Sequence, residues 1–231
     1  MSSAPGGGKG ARHSEIIDVQ GVYATRWSQE EIDAMGRIWK VLVHDYFQQF
    51  VPADAVVLDL GAGFCHFVNS IDAKRRIALD ANPDMPRFAA SGVEAIVSDD
   101  LSLSMFADGE LTHVFMSNFL EHLSSPSAVI ELMKALNRKV APDGAVLILQ
   151  PNFRYVGPAY FDFIDHTVVL TDRSLVEAIE IGGMSVKYMR KRFLPYTSKS
   201  RLPKSPALTR AYLRLPILHR FLGGQIFVVA R

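Results

Sequence analysis

The segment Asp59-Leu60-Gly61-Ala62-Gly63-Phe64-Cys65 joins a carboxylate to two glycines one residue apart. Gly61 and Gly63 permit a tight backbone turn and let a ligand approach where a Cβ would intrude. Further along, Asp80 closes the apolar run RRIALD. A carboxylate at that position accepts hydrogen bonds from both hydroxyls of a ribose. Asp99 and Asn118 close two more apolar runs, EAIVSD and LTHVFMSN, so four polar residues sit where strands end. Each has a plainer reading beside this one. Asp59 could cap a following helix, Asp80 could be a turn acid before Asn82-Pro83, and Asp99-Asp100 could be surface loop charge.

Two histidines add acid–base chemistry. His122 in NFLEHL and His166 in FIDHT carry imidazoles able to take a proton from an acceptor hydroxyl or amine near neutral pH. His122 also suits a loop-fixing role, and Glu121 beside it reads as structural; His166, which follows the fifth strand, is the stronger candidate base. His44, His66, His113 and His219 show no companion spacing for ligation, so no metal site is expected. Nothing identifies a base for Cys65, which is not expected to be a nucleophile.

These residues need elements to hold them. Ser28 and Glu31 have capping-box spacing, and Ile32, Met35, Trp39, Leu42, Tyr46 and Phe50 recur every three or four residues, predicting an amphipathic helix that ends near Pro52. Then VVLDL, a glycine turn and FCHFVNSI read as strand, turn and helix. RRIALD, EAIVSD, LTHVFMSN and AVLILQPN supply four more strands, with a helix from near Pro83 and another from about Ser125 to Val140. Strands apolar on both faces and alternating with helices predict a doubly wound, Rossmann-like α/β sheet, mostly parallel. A helix over Thr171 to Ile181, a sixth strand in MSVKYMRKRF and a seventh in GQIFVVAR follow. The Pro-punctuated basic segment between the last two has no room for a crossover helix followed by another full βα unit, so an antiparallel seventh strand beside the sixth is the economical arrangement.

The ordered set VLDLGAG, ALDANP, VSDD, FMSNFLEHL, PDGAVLILQPN and DHTVVLTDRSLVEAIEIGGM, from Val56 to Met184, resembles the class I S-adenosylmethionine-dependent methyltransferases, in particular their small-molecule, type 11-like group. The resemblance implies a seven-stranded sheet with an antiparallel last strand and S-adenosylmethionine as cofactor. It implies that Asp59 faces the donor's methionine moiety, that Gly61, Ala62 and Gly63 wrap it, and that Asp80 holds the ribose. Asp99 would accept from the adenine amino group, with Asp100 offering backbone beside it. Ser117 and Asn118 would lie by the donor's amino acid end, and Phe64, Ala81 and Leu101 would flank the adenine or sugar. Where the family commonly has a third glycine, this chain has Cys65. Tyr23, Arg26 and Trp27 stand where related enzymes place a lid, and Tyr155 and Tyr160 either line the acceptor pocket or pin its loop.

Composition bounds the rest. With 231 residues, 48% of them hydrophobic, the chain is long enough for one sizeable core. The expected organisation is a flexible tail over 1–14 and a single methyltransferase domain over 15–231, including an N-terminal helical lid at 15–52 and a basic insertion at 194–223. The lone cysteine and the absence of a charged, then apolar, opening segment predict a cytoplasmic setting. Beyond Glu180 there are eleven cations and no acid, which suggests an anionic acceptor or a peripheral membrane contact rather than nucleic acid. The expected activity is methyl transfer to oxygen or nitrogen of a small or carrier-linked metabolite, phosphorylated or saccharide acceptors included. The rivals are a nicotinamide-dependent oxidoreductase and a non-catalytic ligand- or partner-binding member of the same fold.

Overall fold

Ser28 starts the first helix as its spacing requires. Its hydroxyl accepts the Glu31 N–H while the Glu31 carboxylate accepts the Ser28 N–H, so two otherwise orphaned donors are satisfied. In the computed structural model, which describes residue 21, residues 25–196 and residues 205–231, this helix, α1, runs Gln29–Asp45. The tail at 1–14 and Tyr23 lie outside the described residues. The helix stops short of Pro52: Tyr46 leaves helical geometry, and Phe47–Phe50 form one 3-10 turn that brings the Phe47 ring into the core.

Strands β1 (Val56–Leu60), β2 (Arg75–Asp80), β3 (Val93–Val97), β4 (Leu111–Ser117), β5 (Val140–Pro151), β6 (Val186–Arg190) and β7 (Gln225–Ala230) form one sheet in the order β3-β2-β1-β4-β5-β7-β6. The pairs among β1 to β5 are parallel, whereas β7 runs antiparallel to both β5 and β6. Strand order reverses between β1 and β4, and a crevice outside the carboxyl ends of the strands follows at that point. The polar strand-end residues read from the sequence therefore converge on one edge of the sheet.

Helices cover both faces. On one, α2 (Pro126–Lys139) and α4 (Asp172–Ile181) pack Val129, Leu132, Met133, Leu136, Leu175 and Ile179 against Leu58, Val114, Met116, Val146, Ile148 and Val228. On the other, the end of α1 and the following turn pack against Val57, Phe115, Leu147, Leu149, Phe227 and Val229. Neighbouring strand residues alternate between the two clusters because successive side chains leave opposite faces of a pleated strand. Ser125 and Thr171 accept backbone N–H groups as caps of α2 and α4.

Three local readings differ from expectation. Residues 61–70 form a run of turns instead of a helix, because Gly63 (φ 50°) and Cys65 (φ 56°) are left-handed and interrupt it. The region after Pro83 supplies only a 3-10 turn, Met85–Phe88. The APDG stretch lies within β5 as an irregularity: Leu111 faces Val140, but His113 faces Ala145, so the extra residues bulge from the ladder. Gly144 is required there, since a Cβ would sit 2.2 Å from the Thr112 carbonyl oxygen.

Between β5 and α4 lies a single helical turn, α3 (Phe153–Val156), and between β6 and β7 lie two short helices, α5 (Pro206–Arg214) and α6 (Pro216–Leu222). Much of the basic stretch is tied to the body. Lys191 pairs with Asp172, Arg210 with Asp45, and Arg192 donates to the carbonyls of Phe221 and Gly223. Lys199, Arg201 and Lys204 lie outside the described residues. Among the described residues no helix is long and apolar enough to cross a membrane.

Phe47 is the ring on which the α1 face is assembled. It is fully buried, with ring centroids 5.2 Å from both Phe115 and Phe227 in edge-on geometry, and it also meets Trp39, Tyr46, Phe67 and Phe193. Phe47→Ala is expected to cost about 3–5 kcal/mol in urea unfolding. A cost under about 1 kcal/mol would show that α1 docks without it.

Candidate active site

The turn after β1 is held to the end of β2 by backbone. The N–H groups of Gly61 and Ala62 both donate to the Leu79 carbonyl, at 2.8 and 3.1 Å. The Gly63 N–H donates to Asp80 Oδ2 at 2.8 Å, and the other oxygen of Asp80 takes the Asn82 N–H, also at 2.8 Å. Gly61 has φ 74°, and a Cβ there would lie 2.3 Å from the Phe119 ring. Glycine is thus demanded twice, by torsion and by space.

Asp59 lies beneath this turn. It is 3% exposed, and its Oδ2 accepts the Val68 N–H at 3.2 Å. Burial pushes its carboxyl up to about 7; the Val68 bond opposes that rise and the Asp80 charge adds to it. Asp80 is raised for the same first reason, burial, against the hydrogen bonds from Asn82 and Gly63. Cys65 is fully buried and its thiol is pushed up to about 12, by burial first and then by Asp59 and Asp80. It stays a thiol at neutral pH, in keeping with no nucleophilic role.

Phe64 meets Phe88 edge-on at 5.0 Å, and Ala81 is exposed beside Asp80. Asp99 is exposed at the end of β3. The Asp100 carboxylate turns away into its own loop, where it accepts from the backbone and hydroxyls of Ser102 and Ser104, and these bonds hold it well below the usual carboxylate range. Leu101 is half-buried against the core. At the end of β4, Asn118 takes a left-handed φ of 49°, donates to Ser117 Oγ and accepts from Gln225 of β7 at 2.7 Å.

Across the crevice stands a polar cluster that sequence spacing does not reveal. The Glu121 carbonyl accepts the N–H groups of Thr167 and Val168, at 2.8 and 3.1 Å, so the loop after α3 is laced to the loop after β4. His122 and His166, 44 positions apart, then meet with ring centroids 5.0 Å apart. His122 Nδ1 lies 3.1 Å from the Asp165 carbonyl oxygen and 3.3 Å from its Oδ2. His166 Nδ1 lies 2.7 Å from the Tyr160 carbonyl oxygen. Arg26 grips both Asp165 oxygens, at 2.8 and 3.3 Å, with its guanidinium over the Phe163 ring. This gives the segment before α1 a direct hold on the loop.

The cluster is electrostatically uneven. Burial lowers His166 to about 4, with the His122 charge acting the same way. Desolvation works against His122 too, but the Asp165 hydrogen bond and the charges of Glu121 and Asp165 leave it raised. Burial would raise Asp165, yet the bonds and charges of His122 and Arg26 hold it well below its ordinary value. Glu121 is fully buried and raised by burial, against the His122 charge, its own backbone N–H and the Gln150 amide; neither carboxylate oxygen makes a hydrogen bond of ordinary geometry. The amide of Gln150 and the Tyr196 hydroxyl are likewise buried without a hydrogen bond of ordinary geometry. Tyr160 is a loop pin: it is buried, and its hydroxyl donates to the Val168 carbonyl. Tyr155 is exposed under the Arg192 guanidinium.

The sequence reading missed Phe119, Gln150 and Asp165. Asp165 adjoins His166 in the chain, the one local signal that could have drawn it in.

Residues 58–148 match a family model described as a methyltransferase domain. A search by sequence among curated proteins finds no match. Among solved structures, the chain is similar to a SAM-dependent methyltransferase from Archaeoglobus fulgidus at 22% identity and TM-score 0.62, over 84% of this chain and 93% of that one. It is similar to a chain in the complex of the Haloferax volcanii Trm112 methyltransferase activator with a methyltransferase, at 14% identity and TM-score 0.63, over 91% and 96%. A third likeness is geranyl diphosphate C-methyltransferase from Streptomyces coelicolor, solved with Mg2+, a substrate analogue and S-adenosyl-L-homocysteine, at 11% identity and TM-score 0.57, over 83% and 74%. These likenesses show the fold, and the family match covers the strands that carry the turn, Asp80 and Asn118. Over residues 58–148 the chain thus matches a methyltransferase-domain model, and its seven-stranded sheet has the fold of the S-adenosylmethionine-dependent methyltransferases it resembles.

Proposed function

We propose that the chain moves a methyl group from S-adenosylmethionine to an oxygen or nitrogen of a small or carrier-linked acceptor. The observation that carries this reading is Asp80, a buried carboxylate at the end of β2 whose two oxygens orient the Gly63 and Asn82 N–H groups at the switch point of the sheet. The cradle fits the donor. Gly61 and Gly63 leave backbone bare beside it, and each Asp80 oxygen keeps lone pairs for a ribose hydroxyl. When bound, the donor supplies an activated sulfonium methyl that passes in line to the acceptor as the carbon–sulfur bond breaks.

The chain's own part is binding and alignment. Asp80 holds the ribose, Asp59 faces the ammonium of the methionine moiety, and Gly61, Ala62 and Gly63 wrap the chain between them. Ser117 and Asn118 bound the amino acid end, with Phe64, Ala81, Leu101, Asp99 and the Asp100 backbone toward the base. Acceptor entry is past His122 and His166, under the strap fastened by Arg26 to Asp165. Holding acceptor and methyl in line is worth up to several powers of ten, because it replaces a bimolecular encounter by an oriented one. The basic stretch before β7 supports an anionic acceptor.

Two measurements test this. Asp80→Asn is expected to weaken S-adenosylhomocysteine binding about tenfold or more in calorimetry, with the fold retained, since a charge-assisted bond is worth about 1.5–3 kcal/mol. Tighter binding of NAD than of S-adenosylhomocysteine to the parent would favour the oxidoreductase reading instead.

Asp59→Asn separates binding from stability. Its folded carboxyl, near 7, lies above the unfolded value of about 3.9, so the folded state binds the extra proton between those limits. Stability from this group is therefore fully present below about pH 4 and lost as pH rises to about 7. The amide variant escapes that loss. We expect its stability gain over the parent to exceed about 1 kcal/mol at pH 8 and to shrink toward pH 4, while donor affinity falls. A gain independent of pH would place Asp59 at an ordinary carboxylate pKa.

A further inference from the structure

Glu121, His122 and His166 form the only group of three histidine, cysteine or acidic residues among the described residues whose ligand atoms all lie within 4.8 Å of one another. Proximity alone would say little. Three further observations give the group direction. First, both imidazoles are fixed through Nδ1 to acceptors: His122 to the Asp165 carbonyl and carboxylate, His166 to the Tyr160 carbonyl. A carbonyl oxygen only accepts, so in the neutral form of each ring Nδ1 carries the proton and Nε2 keeps its lone pair for a metal. Metal-ligating histidines are held in this way, the second nitrogen donating to a carbonyl or carboxylate that fixes tautomer and aim.

Second, the Glu121 carboxylate is fully buried and neither oxygen makes a hydrogen bond of ordinary geometry, although the Gln150 amide and its own backbone N–H lie nearby. A buried carboxylate so weakly satisfied is costly, and a cation bound between it and the two rings reduces that cost. Third, His122 leaves 33% of its side chain exposed, which provides an entry path from the crevice, whereas Glu121 forms the closed floor.

We infer that Glu121, His122 and His166 bind one divalent first-row metal ion, in the range from Mn2+ to Zn2+, beside the donor crevice. Two imidazoles and one carboxylate leave open coordination positions, and this mixed donor set suits such ions better than an all-oxygen ion such as Ca2+. Ligand bonds of about 2.0–2.2 Å require the three side chains to close slightly from their present spacing. Resting on the methyl-transfer reading, this site narrows the acceptor to an oxygen nucleophile. The acceptor hydroxyl coordinates at an open position and releases its proton to water. Its lone pair then forms the oxygen–carbon bond, and the electrons of the carbon–sulfur bond remain on sulfur. The metal acts by lowering the hydroxyl's pKa, as it does for bound water.

The test uses the full chain, free of any affinity tag, stripped with EDTA and dialysed, then titrated by calorimetry with ZnCl2 and with MnCl2. The expected result is one ion per chain, with affinity reduced tenfold or more in both Glu121→Gln and His166→Ala, and S-adenosylhomocysteine affinity unchanged in both. Should either variant fail to fold, Co2+ bound to the parent reports directly: visible d–d absorption displaced by one equivalent of Zn2+ supports the site. Absence of stoichiometric binding to the parent, or binding unaltered by both substitutions, overturns the inference and leaves the two histidines as proton acceptors without a metal. The two readings fail separately. Metal binding without S-adenosylhomocysteine binding supports the site and removes the methyl-transfer reading, and the converse leaves that reading standing.

Discussion

A short backbone tether organises the crevice beside β1 and β2. The turn after β1 is sewn to the end of β2 through the Leu79 carbonyl and the Asp80 carboxylate, which together accept from Gly61, Ala62 and Gly63. Parallel pairing of Val56–Leu60 with Arg75–Leu79 brings those groups level, so the register of two strands sets the shape of the crevice. A side chain at position 61 would break this arrangement twice, once by its torsion and once by striking Phe119. Phe119 is therefore part of the turn's definition although it lies on another loop.

Cys65 shows how the chain accommodates a departure from the pattern it resembles. Its φ of 56° is one that glycine adopts freely and an L side chain adopts at a cost of about 1–2 kcal/mol. The side chain offsets part of that by burial among Ala62, Val68, Ala78 and Met85. The same strained torsion interrupts the helix expected after the turn, and the Val68 N–H is left to donate to Asp59. A local conflict between residue type and conformation is thus placed beside the site, as strained positions often are.

The opposite side of the crevice is built differently. Here, two loops are laced by backbone hydrogen bonds to the Glu121 carbonyl, and ionic contacts run from Arg26 through Asp165 to His122. The carboxylate of Glu121 takes no part in that lacing and lies at the floor without a hydrogen bond of ordinary geometry. Buried polar groups are ordinarily well satisfied, and the poorly satisfied atoms of Glu121, Gln150 and Tyr196 gather in this one region.

Much of the architecture was legible from residue order alone. Apolar runs ending in Asp80 and Ser117-Asn118, the cap at Ser28, helices starting near Ser125 and Thr171, and the glycine pair after β1 are local signals, and local physics decides them. The ordered motifs also sufficed to suggest the fold and its antiparallel β7. Other features depend on contacts distant in sequence. The left-handed Cys65 and the bulge at Gly144 reflect neighbours brought in by the sheet. Spacing along the chain gave His122 and His166 no reason to be partners, because 44 residues and a full strand separate them. Only tertiary structure decided that they share a site with a buried carboxylate, since parallel strands carry their following loops to one edge of the sheet whatever the distance between them in sequence.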